Sequence, residues 1–190
     1  MEEALLESWR INCRITFWLI EALTDAQWTL KVEKSKSVAG HCAHIHSVRL
    51  MWLKVADPAA LDGMPTVTDK SEKQEILAAH RLSAAALERC IAASLESGVR
   101  VKGFKPHTTA FVGYLIAHES FHRSQLELTL RQAGAPLDVD ALEAVGRPHV
   151  DEAVANREIA PLDQFDAHLL GEERMFEVGR VVNARGEQHH

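Results

Sequence analysis

The chain has 190 residues, 46% of them hydrophobic and 25% charged, with a formal net charge of −6. That balance belongs to a globular protein with enough length for a real core. An acidic chain without a basic cluster lacks the electrostatic footprint of a nucleic-acid binder, and its longest apolar stretch, ITFWLIEAL, is too short to span a bilayer and contains Glu21.

The acidic opening MEEALLESWR stands where an export signal would be basic. Cys13, Cys42 and Cys90 are odd in number, widely separated and form no CxxC pair. Together these features give the expectation of reduced thiols in a cytoplasmic protein. Each cysteine reads first as a small buried hydrophobe and only second as a nucleophile.

Four long helical segments follow in order, with no convincing strand. The first is expected over about Glu3 to Ala22, where Leu6, Trp9, Cys13, Phe17 and Ile20 are spaced as one inward stripe. LTDAQW then supplies a turn, with Thr24 as N-cap of a short helical piece. The second helix should start behind Ser37 and continue to Ala56, because Asp57 precedes a proline and is pushed out of helical geometry. DPAALDGMPTVT reads as a long connection. The third helix is expected from about Asp69 to Glu96, with Ile76, His80, Ser83, Leu87 and Ile91 at helical spacing. After the break SGVRVKGFKPHTT, a fourth runs from about Thr108 to Ala133 and stops at Gly134, with Pro136 two residues on. DALEAV and PLDQFDAHLLGEERMFEVGRVV suggest short C-terminal helices. The expectation is a single all-α domain over 1–190. Its core, about 1–137, is an antiparallel four-helix bundle with a long crossover connection, followed by an extension over 138–190.

Histidines carry the chemical signal. His118 and His122 stand four apart in LIAHESFHRSQLEL, so both imidazoles share one face and can aim at a common point. Gln125 follows on the same side, suited to orienting a ligand or a bound water. In the second helix His41 and His44 share a face, while His46 projects away from His44. A facing helix can therefore add one or two imidazoles to the pair. Three neutral histidines with an open position are the ligand set of a catalytic zinc site and also suit nickel or iron. The bland alternative is a pair of core histidines hydrogen-bonded to backbone or to Tyr114, since buried polar groups are nearly always satisfied.

SVAGHCAHIHSVRLMWL, followed much later by YLIAHESFHRSQLELTLRQAGAPLD, resembles the DinB/YfiT-like superfamily. His44 lies in AHIHSVRLMWL, which matches the family's second-helix pattern. His118, His122, Arg123 and Gln125 match its H-x-x-x-H-R-x-Q helix, and LRQAGAPL matches its close. MFEVGR looks like a worn version of the family's LWEWG ending. The resemblance covers most of residues 1–137. It implies an antiparallel four-helix bundle holding one divalent metal, zinc or nickel before iron or manganese, on His44, His118 and His122. His41 lies outside the family pattern and is left as a fourth ligand or a group behind the ligands.

The resemblance further implies a metal-dependent transferase that activates a low-molecular-weight thiol on a small-molecule substrate, or a related hydrolase. Arg123 is a candidate anchor for an anionic substrate, against the commoner reading of a solvent-facing charge. No general base is evident: Glu119 points elsewhere on the helix and Glu127 is expected to be solvated. His80 and His107 are expected to be exposed or interfacial, His189 and His190 to belong to the tail, and the four tryptophans to anchor the core, with Trp52 also able to wall a pocket. The alternative function is a non-catalytic bundle that binds metal structurally or dimerises through a helical face, and four protein ligands instead of three would mark it.

Overall fold

A computed structural model describes residues 2–138 and 140. The expected short C-terminal helices, the MFEVGR motif and the terminal histidines lie outside the described residues. Among the described residues there are five α-helices and no strand: α1 (Glu2–Ala22), α2 (Asp25–Trp28), α3 (Val38–Ala56), α4 (Lys73–Ser97) and α5 (Thr108–Gln132).

Local chemistry sets the helix ends. Glu2 and Glu3 occupy the first turn of α1, where negative charge complements the helix dipole. The Thr24 hydroxyl accepts from the Gln27 backbone N–H and the Gln27 side chain returns to Thr24, a closed capping box on α2. Ser37 caps α3 by accepting from the Gly40 N–H at 3.0 Å. The connection after Asp57 contains a 3-10 turn over Pro58–Leu61. The third long helix, α4, starts later than the expected Asp69, because residues 68–71 close a turn of their own. Ser71 donates its N–H to the Thr68 carbonyl and accepts the Thr68 N–H on its hydroxyl, while its carbonyl takes the indole N–H of Trp28. Gly98 ends α4 with φ +67°, and Gly134 follows α5 with φ +72°.

The four long helices form a bundle in which α1 and α3 each pack against both α4 and α5. Cross-helix contacts give the directions. Trp9 meets Ala84 while Glu21 meets Arg81 and Lys73 reaches Leu23, so α1 and α4 run antiparallel. His41 lies beside His122 while Trp52 lies beside Phe111, so α3 and α5 are also antiparallel. His80 bonds back to Cys42 and Ser83 to His46, so α3 and α4 are parallel. The crossover must therefore travel the length of the bundle between them. It is pinned on the way by His46 Nε2 against the Pro65 carbonyl, at 2.9 Å, and by buried Val67.

The core falls into two apolar clusters. One, around Ile20, Leu23, Val38, Ile76, Leu126 and Leu130, closes the α2 end. The other is built on Trp9, Leu53, Leu87, Ile91, Phe111 and Leu115. All five residues of the expected α4 stripe (Ile76, His80, Ser83, Leu87, Ile91) are buried, as are Trp9, Cys13 and Ile20 of the α1 stripe. No described helix is long and apolar enough to cross a membrane.

Candidate metal centre

The antiparallel packing of α3 on α5 brings their histidines face to face. The rings of His44 and His122 have centroids 4.4 Å apart, those of His118 and His122 4.6 Å, and those of His44 and His118 5.6 Å. Each of the three offers one nitrogen, and these nitrogens lie within 4.8 Å of one another. The Nε2 atoms of His118 and His122 are 3.2 Å apart. Two nitrogens on a tetrahedral cation at ordinary zinc–imidazole length would be about 3.3 Å apart, so this pair already stands at ligand spacing. His122 is buried, whereas His44 and His118 are half-buried and reach the surface.

Electrostatics keep the cluster neutral. Burial lowers the pKa of His44, His118 and His122, most strongly for His122, which falls to about 3 under burial and the fields of His118, His44, His41 and Lys36. Neutral imidazoles have lone pairs to give, which a divalent cation requires. The buried Nδ1 atoms of His118 and His122 have no hydrogen-bond partner among the described residues. The donor set, its spacing and its protonation state fit a divalent cation.

His41 is also buried, with its ring 5.8 Å from that of His122 and both ring nitrogens without a partner among the described residues. It is not one of the three mutually close imidazoles. Gln125 is half-buried one turn beyond His122 on α5. An aromatic group borders the site. Tyr114 stacks on His118 at 6.0 Å and also meets Trp52 and Phe104, while the ring of Phe121 lies 5.3 Å from that of His122.

Arg123 turns away from the histidines toward α1. Its guanidinium donates to Thr16 Oγ1 at 2.7 Å, Asn12 Oδ1 at 2.9 Å and Ser120 Oγ at 2.8 Å. It is neither the solvent-facing charge nor, in this geometry, an anchor beside the three imidazoles. His80 corrects its expectation outright. It is fully buried, with Nε2 2.8 Å from the Cys42 carbonyl, and burial beside Arg49 holds it neutral far below the ordinary histidine pKa. His107 caps α5 by accepting the Ala110 N–H on Nδ1. Burial raises the Cys13 and Cys42 thiols to about 12, so neither is a thiolate at neutral pH.

The polar core between α1, α3 and α5 went unread. Arg49 is fully buried and grips Glu119 with two hydrogen bonds, Nε to Oε1 at 2.7 Å and Nη2 to Oε2 at 2.8 Å. Asn12 donates to Glu119 Oε2 at 2.7 Å, and Arg49 Nη1 donates to the His80 carbonyl at 3.0 Å. Glu119 does point away from the histidines, as expected, but into this network and not into solvent. A signal was present. Arg49 continues the inward stripe Cys42, Ile45, Leu53, and Glu119 continues Leu115, His122, Leu126, so opposite charges sat at core positions of two facing helices.

The sequence matches the family model described as the DinB family over residues 1–144. The chain belongs to the DinB family. The DinB match contains all four clustered histidines, Gln125, Arg123 and the whole described bundle. Comparison with curated proteins and with solved structures found no match.

Proposed function

We propose that this DinB family protein is a metal-dependent enzyme in which His44, His118 and His122 hold one divalent cation, zinc or nickel before iron or manganese. A small-molecule substrate would meet a low-molecular-weight thiol there, in group transfer or a related hydrolysis. The observation that supports this reading is the convergence of three neutral imidazoles from two helices on one half-buried point.

Three protein ligands leave at least one position of a four-coordinate cation for substrate or thiol. A cation there would supply Lewis acidity, lowering the pKa of a thiol or water and polarising a substrate. The chain's own groups would do the rest. Tyr114 and Phe121 would border the substrate beside the imidazoles, and Gln125 would orient a ligand or a water. Arg123 faces α1 and has no part in this reading.

One observation favours a second reading. Both nitrogens of His41 are buried and without a partner among the described residues, with its ring 5.8 Å from that of His122, which suits a fourth ligand. The site would then be closed and structural, in a non-catalytic or dimerising bundle.

Elemental analysis of untagged protein purified without chelator is the test, beside His44→Ala and His122→Ala variants. The expected result is about one divalent cation per chain in the wild type and loss in both variants. A wild type that stays metal-free after incubation with zinc, nickel and manganese overturns the proposal. His41→Ala separates the two readings through the absorption of cobalt-loaded protein. An unchanged spectrum and content keep the site open and justify a screen of thiols and electrophiles, whereas a lost or altered spectrum makes His41 a ligand.

A further inference from the structure

A cavity of about 440 Å³ opens between α1 and the C-terminal half of α5, and none of the clustered histidines lines it. That volume is within the roughly 300–1,000 Å³ of ordinary small-molecule sites. Ile15, Trp18, Leu19 and Leu137 give it an apolar wall, and Arg123 stands in the opposite wall.

The charges around Arg123 do not balance. Among the described residues Glu119 is the carboxylate paired with Arg123, at 3.8 Å, but Arg49 already takes both of its oxygens at 2.7 and 2.8 Å. Thr16, Asn12 and Ser120 accept three of the five guanidinium N–H groups without offering a negative charge. Glu127, also on the cavity wall, is held by Arg131 through contacts of 2.6 and 3.1 Å. Among the described residues three arginines therefore share two carboxylates, and Arg123, whose side chain is only 12% exposed, holds only the longest of these ion pairs. A buried charge held by so long a pairing is costly. A planar guanidinium with N–H groups to spare is the usual partner of a carboxylate.

We infer that this cavity binds a small organic anion, a carboxylate on an apolar or aromatic body, with the carboxylate paired to Arg123 and the body against Trp18 and Leu137. The site is separate from the histidine cluster and does not require it.

Calorimetric titration of the full chain with phenylacetate, 4-phenylbutyrate and octanoate, each beside its neutral amide, tests this. At least one acid should bind ten times or more tighter than its amide. Ser124→Trp fills the cavity from an exposed position on α5, and should weaken that acid at least tenfold with an unchanged melting temperature. Arg123→Gln should remove the preference for acid over amide. His118→Ala, which disables the proposed cation site, should bind the acid as the wild type does. Absence of saturable binding by every acid, equal affinity for acid and amide, or indifference to Ser124→Trp overturns the inference. Loss of binding in His118→Ala does the same, by moving the anion to the cation site.

Discussion

At the scale of single residues, the Arg49–Glu119 pair is the most consequential feature outside the histidines. Burial works against the Arg49 charge, and Glu119 more than restores it, so its pKa ends above the ordinary value. Removing one member strands the other in the core. Arg49→Met or Glu119→Leu should each cost about 3–5 kcal/mol in urea unfolding. The double variant should recover most of that, since apolar replacement of a whole buried pair is often close to neutral. A double variant as unstable as the sum of the singles would show that the pair contributes more than mutual compensation. The histidines were legible because their spacing is short-range: HxxxH on one helix declares a shared face. The Arg49–Glu119 pair needs knowledge of which helices face each other, and so does the burial of His41. Arg123 misled because an arginine after a core histidine reads as solvated until α1 is placed beside it.

At the scale of elements, caps and glycines make the sharpest predictions. The Ser37 hydroxyl meets the Gly40 N–H at the start of the helix that carries His41 and His44, so Ser37→Ala should cost about 1 kcal/mol by denaturant melting. Gly103 has φ +88°, and a Cβ there would lie 2.5 Å from Val55 Cγ1. Gly103→Ala should thus displace the loop carrying Phe104 and loosen its contacts with Trp52, Phe111 and Tyr114. A loss of about 1–3 kcal/mol is expected, together with a changed tryptophan emission; an unchanged spectrum and melting curve would mean the loop relaxes freely. Helix positions were readable because Ser37, Pro58, Gly98 and Gly134 punctuate the chain. The start of α4 was not, since the turn over residues 68–71 depends on Trp28, more than forty residues away.

At the scale of the whole molecule, buried neutral histidines make the fold sensitive to acid. His80 and His46 are held below the ordinary histidine pKa by burial, with Arg49 adding to the effect. The unfolded chain takes up protons below about pH 6.5, whereas folded His80 does so only far lower and folded His46 later than in the unfolded chain. Stability is therefore complete above that pH and falls as pH drops below it, by about 1.4 kcal/mol per pH unit for each such proton. Chelator-treated protein should lose stability between pH 6.5 and 5.0, by about 2 kcal/mol from His80 alone, read from urea midpoints. His80→Gln should narrow the difference between pH 7.5 and 5.0 by about that amount, whatever it does at pH 7.5; an unchanged difference would exonerate His80. The all-helical bundle with its long crossover was legible from four periodic segments and one long proline-bearing break. Which helices pack on which was not, because periodicity says which face turns inward and nothing about which helix receives it.

The Arg49–Glu119 clamp joins the same two helices, α3 and α5, that carry the clustered histidines, and Glu119 directly follows His118. Folding alone thus fixes the register of the two helices before any cation arrives. The three imidazoles are preorganised, and the entropy of assembling them is lost during folding and would not be lost during capture of a cation. Unlike a zinc finger, whose metal is its core, this bundle should release the proposed cation to a chelator with helical circular dichroism intact and take it up again without a refolding delay.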